Sequence, residues 1–208
     1  MGWYNYNRLE PRKQEIVEFI KDNIKGKLVV EFGGGSSSAI YHIMNPEKYE
    51  YIFICSDISI QALINARMLH PNSILIQCDA CSPPFKDNSI DVIINFGSLH
   101  HLPDNNNVLI KHIGCLKSRG YMGIHEPSDK RKKILKENNI IKRKLAHIEL
   151  SEHDEYVEEI TYLNIFNDKG KIINLYYEYT IIRTILISIF FDKFKINNKA
   201  FYLFARFF

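Results

Sequence analysis

An α/β, doubly wound and mainly parallel sheet with helices on both faces is the fold class that this sequence of 208 residues predicts. Three observations predict it. Short apolar runs alternate with segments of helix length, the first run breaks into glycines at GGGSSS, and two later runs each lead to an aspartate, Asp57 and Asp79. Alternation of this kind implies parallel strands joined by right-handed crossovers. In such sheets ligands lie across the carboxyl ends of the strands, so the glycine turn and both aspartates fall at one crevice.

Each element has its own reason. Residues 10–24 place Ile16, Val17, Phe19, Ile20 and Ile24 on one helical face after Pro11, which predicts an N-terminal helix. Strands are expected at 28–32, 51–55, 74–77, 92–96 and 121–125, where apolar runs are bounded by polar or turn residues. Between them, helices are expected at 38–44, at 59–69 behind the capping Ser59, and at 108–116 with its end near Gly120. The last third departs from simple alternation. A charged helical stretch is expected at 129–148, a helix at 157–167, and strands at 171–179 and 200–207. Residues 181–191 are apolar but interrupted by Arg183, and are too short to span a bilayer. They read as a core-packing helix or hairpin arm, with a lid over substrate or membrane as the alternative.

The chemistry begins at LVVEFGGGSSS, residues 28–38. Gly33, Gly34 and Gly35 let the backbone turn sharply and approach a ligand without a Cβ in the way, and Ser36 to Ser38 supply hydroxyls and amides beyond. An acid after the second strand, Asp57, can accept from both hydroxyls of a ribose, and one after the third, Asp79, can reach an adenine amino group. The plainer alternative makes both of them polar strand ends. A nicotinamide site is disfavoured, because Gly33, Gly35 and Ser38 make a defective G-x-G-x-x-G and Asp79 would have no role.

The segment 77–104, QCDACSPPFKDNSIDVIINFGSLHHLPD, carries Asp79-Ala80, Pro84-Phe85, Asp91-Val92 and Leu99-His100-His101-Leu102 in order. With Glu31, Gly33 and Gly35 before it, this stretch resembles the class I S-adenosylmethionine-dependent methyltransferases, nearest to the branch of quinone-biosynthesis and other small-molecule enzymes. Ser37 stands where a third glycine is common. The resemblance implies a Rossmann-like sheet of seven strands, its last strand antiparallel between the fifth and sixth. It implies one domain over 1–208, with a cofactor core at 10–126 and substrate-side helices and a strand hairpin at 127–208. It implies S-adenosylmethionine as cofactor and S-adenosylhomocysteine as product, held by Glu31, Gly33, Gly35, Ser37, Asp57, Ile58, Asp79, Ala80, Asn95 and Phe96. The expected activity is methylation of a small-molecule acceptor at oxygen, nitrogen or carbon. A non-catalytic scaffold that keeps the nucleoside pocket is the alternative.

Methyl transfer from a sulfonium needs alignment above all, and a base only where the acceptor must lose a proton. His101 and Glu126 are the catalytic candidates, with His100, His125 and His153 behind them. Composition bounds the rest. At 46% hydrophobic and 25% charged residues the chain is a globular protein, and a net charge of +3 with pI near 8.5 does not point to nucleic acid. Residues 130–144 hold eight Lys and Arg against Glu137, which suits an anionic acceptor, an RNA backbone or a lipid surface but reads first as a solvated helix face. Cys55, Cys78, Cys81 and Cys115 read as reduced thiols of a cytoplasmic protein, and Cys78-x-x-Cys81 lacks the second pair that a zinc site needs, so no metal is expected. The expected partner is a small acceptor, anionic or partly hydrophobic.

Overall fold

The computed structural model describes residues 26–36, 50–69, 71–127, 159–181 and 197–207. Five parallel strands form the heart of one sheet: β1 (Leu28–Phe32), β2 (Ile52–Asp57), β3 (Ile74–Gln77), β4 (Ile90–Phe96) and β5 (Leu116–Pro127), in spatial order β3-β2-β1-β4-β5. Beyond β5 the ladder continues antiparallel, through β7 (Asn197–Phe207) to β6 (Gly170–Ile181). Three α-helices are described, α1 (Ile60–Leu69), α2 (Asn105–Cys115) and α3 (Glu159–Lys169), with one 3-10 turn at Leu99–His101.

Strand order grows in one direction from β1 to β3 and in the other from β4 to β5. Right-handed crossovers then put α1 and α2 on opposite faces of the sheet. Side-chain alternation agrees. Val30 and Phe32 of β1 join Ile54, Ile93, Met122 and Ile124 in one buried cluster with Val108 and Leu109 of α2 and Tyr162 and Phe166 of α3. Val29, Phe53, Val92 and Ile94 are buried outside that cluster, as are Leu63 and Ala66 of α1. Both faces of β1 are therefore covered, and the unbroken apolar run of its sequence follows from that.

The expected strands and the helices over 59–69, 108–116 and 157–167 are found within a few residues of their positions. Ser59 caps α1 through the bond from the Ala62 amide to its Oγ (3.2 Å). One expectation is corrected. The chain passes from α2 into β5 at Leu116, and Gly120 lies inside the strand. There the pairing jumps from Ile90–Leu116 to Val92–Tyr121, leaving Lys117 to Gly120 as a bulge. A Cβ on Gly120 would stand 2.8 Å from the Lys117 carbonyl oxygen, so the glycine serves the bulge instead of the helix end. The helices expected at 10–24, 38–44 and 129–148, and nearly all of 181–191, lie outside the described residues.

His112, on the buried face of α2, was not singled out by sequence. Its ring stacks on Phe32 with centroids 4.0 Å apart, and its Nε2 donates to the Ala80 carbonyl at 2.9 Å. Burial is the main reason its pKa falls from 6.5 to about 4. In the folded protein the ring is thus neutral where the unfolded chain already takes up a proton. Its contribution is complete above pH 6.5 and is lost as pH falls towards 4, about 3 kcal/mol at most. Urea unfolding of wild type and His112→Phe at pH 7 and pH 4.5 checks this, with the stability gap expected to narrow by about that amount at the lower pH.

Candidate functional site

β1 ends at Phe32, and the chain turns at Gly33 (φ +67°) and Gly35 (φ +60°), both in the left-handed region that glycine adopts without strain. Packing singles out the first two glycines. A Cβ on Gly33 would lie 2.5 Å from Ser98 Cβ, and one on Gly34 would lie 2.5 Å from Cys55 Sγ. Around Gly35 no described atom lies within 4 Å of that point. Close approach thus holds the first two residues against the loop after β4 and against β2, while no described residue crowds the third.

The end of β2 is tied to this turn. Asp57 Oδ2 accepts from the Gly35 amide (2.9 Å) and Oδ1 from the Ser59 amide (2.8 Å). The Gly34 amide donates to the Ser56 carbonyl (3.1 Å), and Ser56 Oγ donates to the Glu31 carbonyl (3.0 Å). Each Asp57 oxygen keeps a further lone pair, and the half-buried carboxylate borders the open side of Gly35. These features fit a nucleoside with a ribose diol.

Asp79 follows β3 in a turn closed by the Ser82 amide on its carbonyl (3.0 Å), and its Oδ1 accepts from the Cys81 amide (2.8 Å). The carboxylate is exposed, as is Ile58 beyond Asp57, while Ala80 is half-buried. The flanking thiols are poor nucleophiles. Burial pushes Cys78 and Cys81 up from the ordinary thiol value, and the Asp79 carboxylate adds to both. Cys55 is pushed further up, by burial first and then by Glu31 and Asp57. Among the described residues no cluster of His, Cys, Asp and Glu could hold a metal ion.

The loop after β4 is organised from β5. Gly97 (φ +67°) donates its amide to the His125 carbonyl at 2.7 Å. Glu126, 0% exposed, accepts from the Ser98 and Leu99 amides on Oε1 (2.9 Å each) and from His100 Nδ1 on Oε2 (2.6 Å). Glu126, a catalytic candidate by sequence, is thus enclosed by backbone amides and one imidazole. His101 is exposed, and its ring centroid lies 3.9 Å from that of His100. Phe96 meets His125 edge to face (5.9 Å between centroids). Asn95 is fully buried, and neither atom of its amide has a partner among the described residues.

The structure therefore brings Gly33, Gly35 and Asp57 together directly, puts Ser98 against Gly33, and sets Asp79 at the end of β3, the strand next to β2. Glu31 is buried beside Gly34, with Oε2 3.3 Å from that glycine's would-be Cβ. Ser37, His153 and the basic stretch 130–144 lie outside the described residues. The pairing of Glu126 with His100 escaped sequence reading. Its only trace there is an acid at the end of the fifth apolar run.

Residues 30–124 match the family model described as a methyltransferase domain. Solved structures are similar over more than nine-tenths of the chain. A SAM-dependent methyltransferase of Methanosarcina mazei is 15% identical with a TM-score of 0.66, the match covering 95% of this chain and 97% of that one. An S-adenosylmethionine-dependent methyltransferase of Mesorhizobium loti is 13% identical with a TM-score of 0.66, covering 92% and 96%. The [4+2]-cyclase SpnF is also similar, at 12% identity and a TM-score of 0.64, covering 98% and 84%, so a different chemistry occurs on a similar fold. No curated protein matches the sequence significantly.

Proposed function

We propose that this chain is a class I S-adenosylmethionine-dependent methyltransferase and that it methylates a small-molecule acceptor at the crevice formed by Gly33 to Gly35, Asp57 and Asp79. The observation that carries the reading is Asp57. Its two oxygens are fixed by backbone amides on the glycine turn and on the start of α1, and each keeps a lone pair for one hydroxyl of a ribose. Asp79 then serves the adenine amino group, with Ile58 and Ala80 beside the base. Glu31, Gly33 and Gly35 shape the floor of the crevice, and Asn95 and Phe96 border it from β4.

Bound S-adenosylmethionine supplies an electrophilic methyl group, and its transfer depends chiefly on alignment of the acceptor. The chain holds the cofactor with β1 to β4, so the segments after β5 are left to shape the acceptor side. The acceptor is read as small, and as anionic or partly hydrophobic, from the basic stretch 130–144 and the apolar stretch 181–191.

S-adenosylmethionine and S-adenosylhomocysteine should both bind and raise the unfolding temperature. At a hundred times Kd the native state gains about 2.7 kcal/mol. Isothermal calorimetry and thermal unfolding measure this directly. Binding of NADH without binding of either sulfur nucleoside would overturn the assignment.

A further inference from the structure

We propose that Glu126 and His100 form a carboxylate–imidazole dyad in which His100 is the general base, so that the acceptor is a hydroxyl that must lose its proton as it is methylated. This inference rests on the methyl-transfer reading above. It moves the base from His101, the candidate suggested by sequence, to its neighbour.

The carboxylate comes first. Glu126 is fully buried, yet the backbone answers its charge: the Ser98 and Leu99 amides donate to Oε1 at 2.9 Å, and the His100 amide approaches Oε2 at 3.4 Å. Successive amides turned towards one point make an anion-binding concavity around this carboxylate. An ionised carboxylate can only accept. The 2.6 Å contact between Oε2 and His100 Nδ1 is therefore donated by the imidazole, and in a neutral ring this leaves Nε2 with the free lone pair.

Placement comes second. His100 follows two residues after Ser98, whose Cβ lies against Gly33, so it belongs to the turn at the carboxyl end of β4 that packs on the glycine turn through Ser98. Its side chain is 13% exposed while its partner is 0% exposed. Solvent thus reaches the imidazole and not the carboxylate. His101 covers the ring from one side, with centroids 3.9 Å apart. From α3, Tyr162 lies near enough to feel the Glu126 charge. Burial first and that charge second hold its phenol above its ordinary value, so it stays neutral.

The step balances within these groups and the substrates. Nε2 takes the proton as the acceptor O–H bond breaks, and the oxygen's electron pair forms the new bond to the methyl carbon. The pair of the old carbon–sulfur bond stays with the sulfur of the thioether product. Glu126 stabilises the imidazolium, which returns its proton to water. His100 is the catalytic residue, and Glu126 is a positioning residue that sets its tautomer.

The test reads the dyad without needing the acceptor. In ligand-free wild-type protein at a pH where imidazole is neutral, long-range 1H–15N spectra should show His100 protonated at Nδ1, with His100→Gln identifying the signal. Glu126→Gln should shift that ring towards the Nε2–H form. Diethyl pyrocarbonate, followed by peptide mapping of the wild-type protein, needs no folded variant and should acylate His100. An Nε2–H tautomer in wild type, or a His100 that resists acylation while His101 reacts, overturns the dyad even where S-adenosylmethionine binds. Absence of S-adenosylmethionine binding to wild type overturns the methyl-transfer reading and the base role with it, whatever the tautomer.

Discussion

Gly33→Ala is expected to destabilise the protein by about 2 to 5 kcal/mol, the sum of roughly 1 to 2 for a left-handed alanine and 1 to 3 for overpacking. Both contributions are visible at this position. The residue sits at φ +67°, and its added Cβ would lie 2.5 Å from Ser98 Cβ, far inside contact distance. Ser98 cannot withdraw freely, because its amide is held by the buried Glu126. Gly35→Ala provides the internal control. With φ +60° and no described atom within 4 Å of its Cβ position, it should cost only the backbone part, about 1 to 2 kcal/mol. Urea denaturation of the two variants compares them directly. Equal losses would mean that the contact with Ser98 relaxes at no cost.

Asp57→Ala is expected to cut affinity for S-adenosylmethionine by about 1.5 to 3 kcal/mol for each charge-assisted bond to a ribose hydroxyl. Loss of both bonds then weakens binding by more than a hundredfold, since every 1.4 kcal/mol is tenfold. The structure adds a second consequence. Asp57 also accepts from the Gly35 and Ser59 amides, so the variant loses the tie between the glycine turn and the start of α1. A stability loss of about 1 kcal/mol should accompany the loss of affinity. Asp57→Asn keeps one acceptor oxygen in place and should fall between wild type and Asp57→Ala in calorimetry. Full affinity in a folded Asp57→Ala protein would place the ribose elsewhere.

Much of this site is written in local order along the chain. The runs LVV, YIFIC and VII are apolar without interruption because strands covered on both faces need no alternation, and each announces its strand without knowledge of its neighbours. Glycines directly after the first strand, and aspartates at or just after the ends of the second and third, could be assigned to one crevice because parallel crossovers bring all carboxyl ends to one side. Sequence by itself therefore determined the strand positions, the sharp turn and the acids around it. These depend on neighbours only a few residues away and on a handedness rule that holds for any such sheet.

Only the tertiary structure decided which polar groups meet across the sheet. Glu126 and His100 are 26 residues apart, and which of His100 and His101 faces the carboxylate depends on how the turn over Leu99–His101 is seated. His112 and Ala80 are 32 apart, and the stacking of His112 on Phe32 follows from packing α2 against β1. Gly120 reads in sequence as a helix end, whereas its close neighbours, the Lys117 and Asp91 carbonyls, belong to a bulge. Periodicity tells which face of an element is buried, but a hydrogen bond between distant residues depends on register and on rotamer, which are set when the layers pack. The sequence thus locates the crevice, and the packed fold selects the imidazole that can work there.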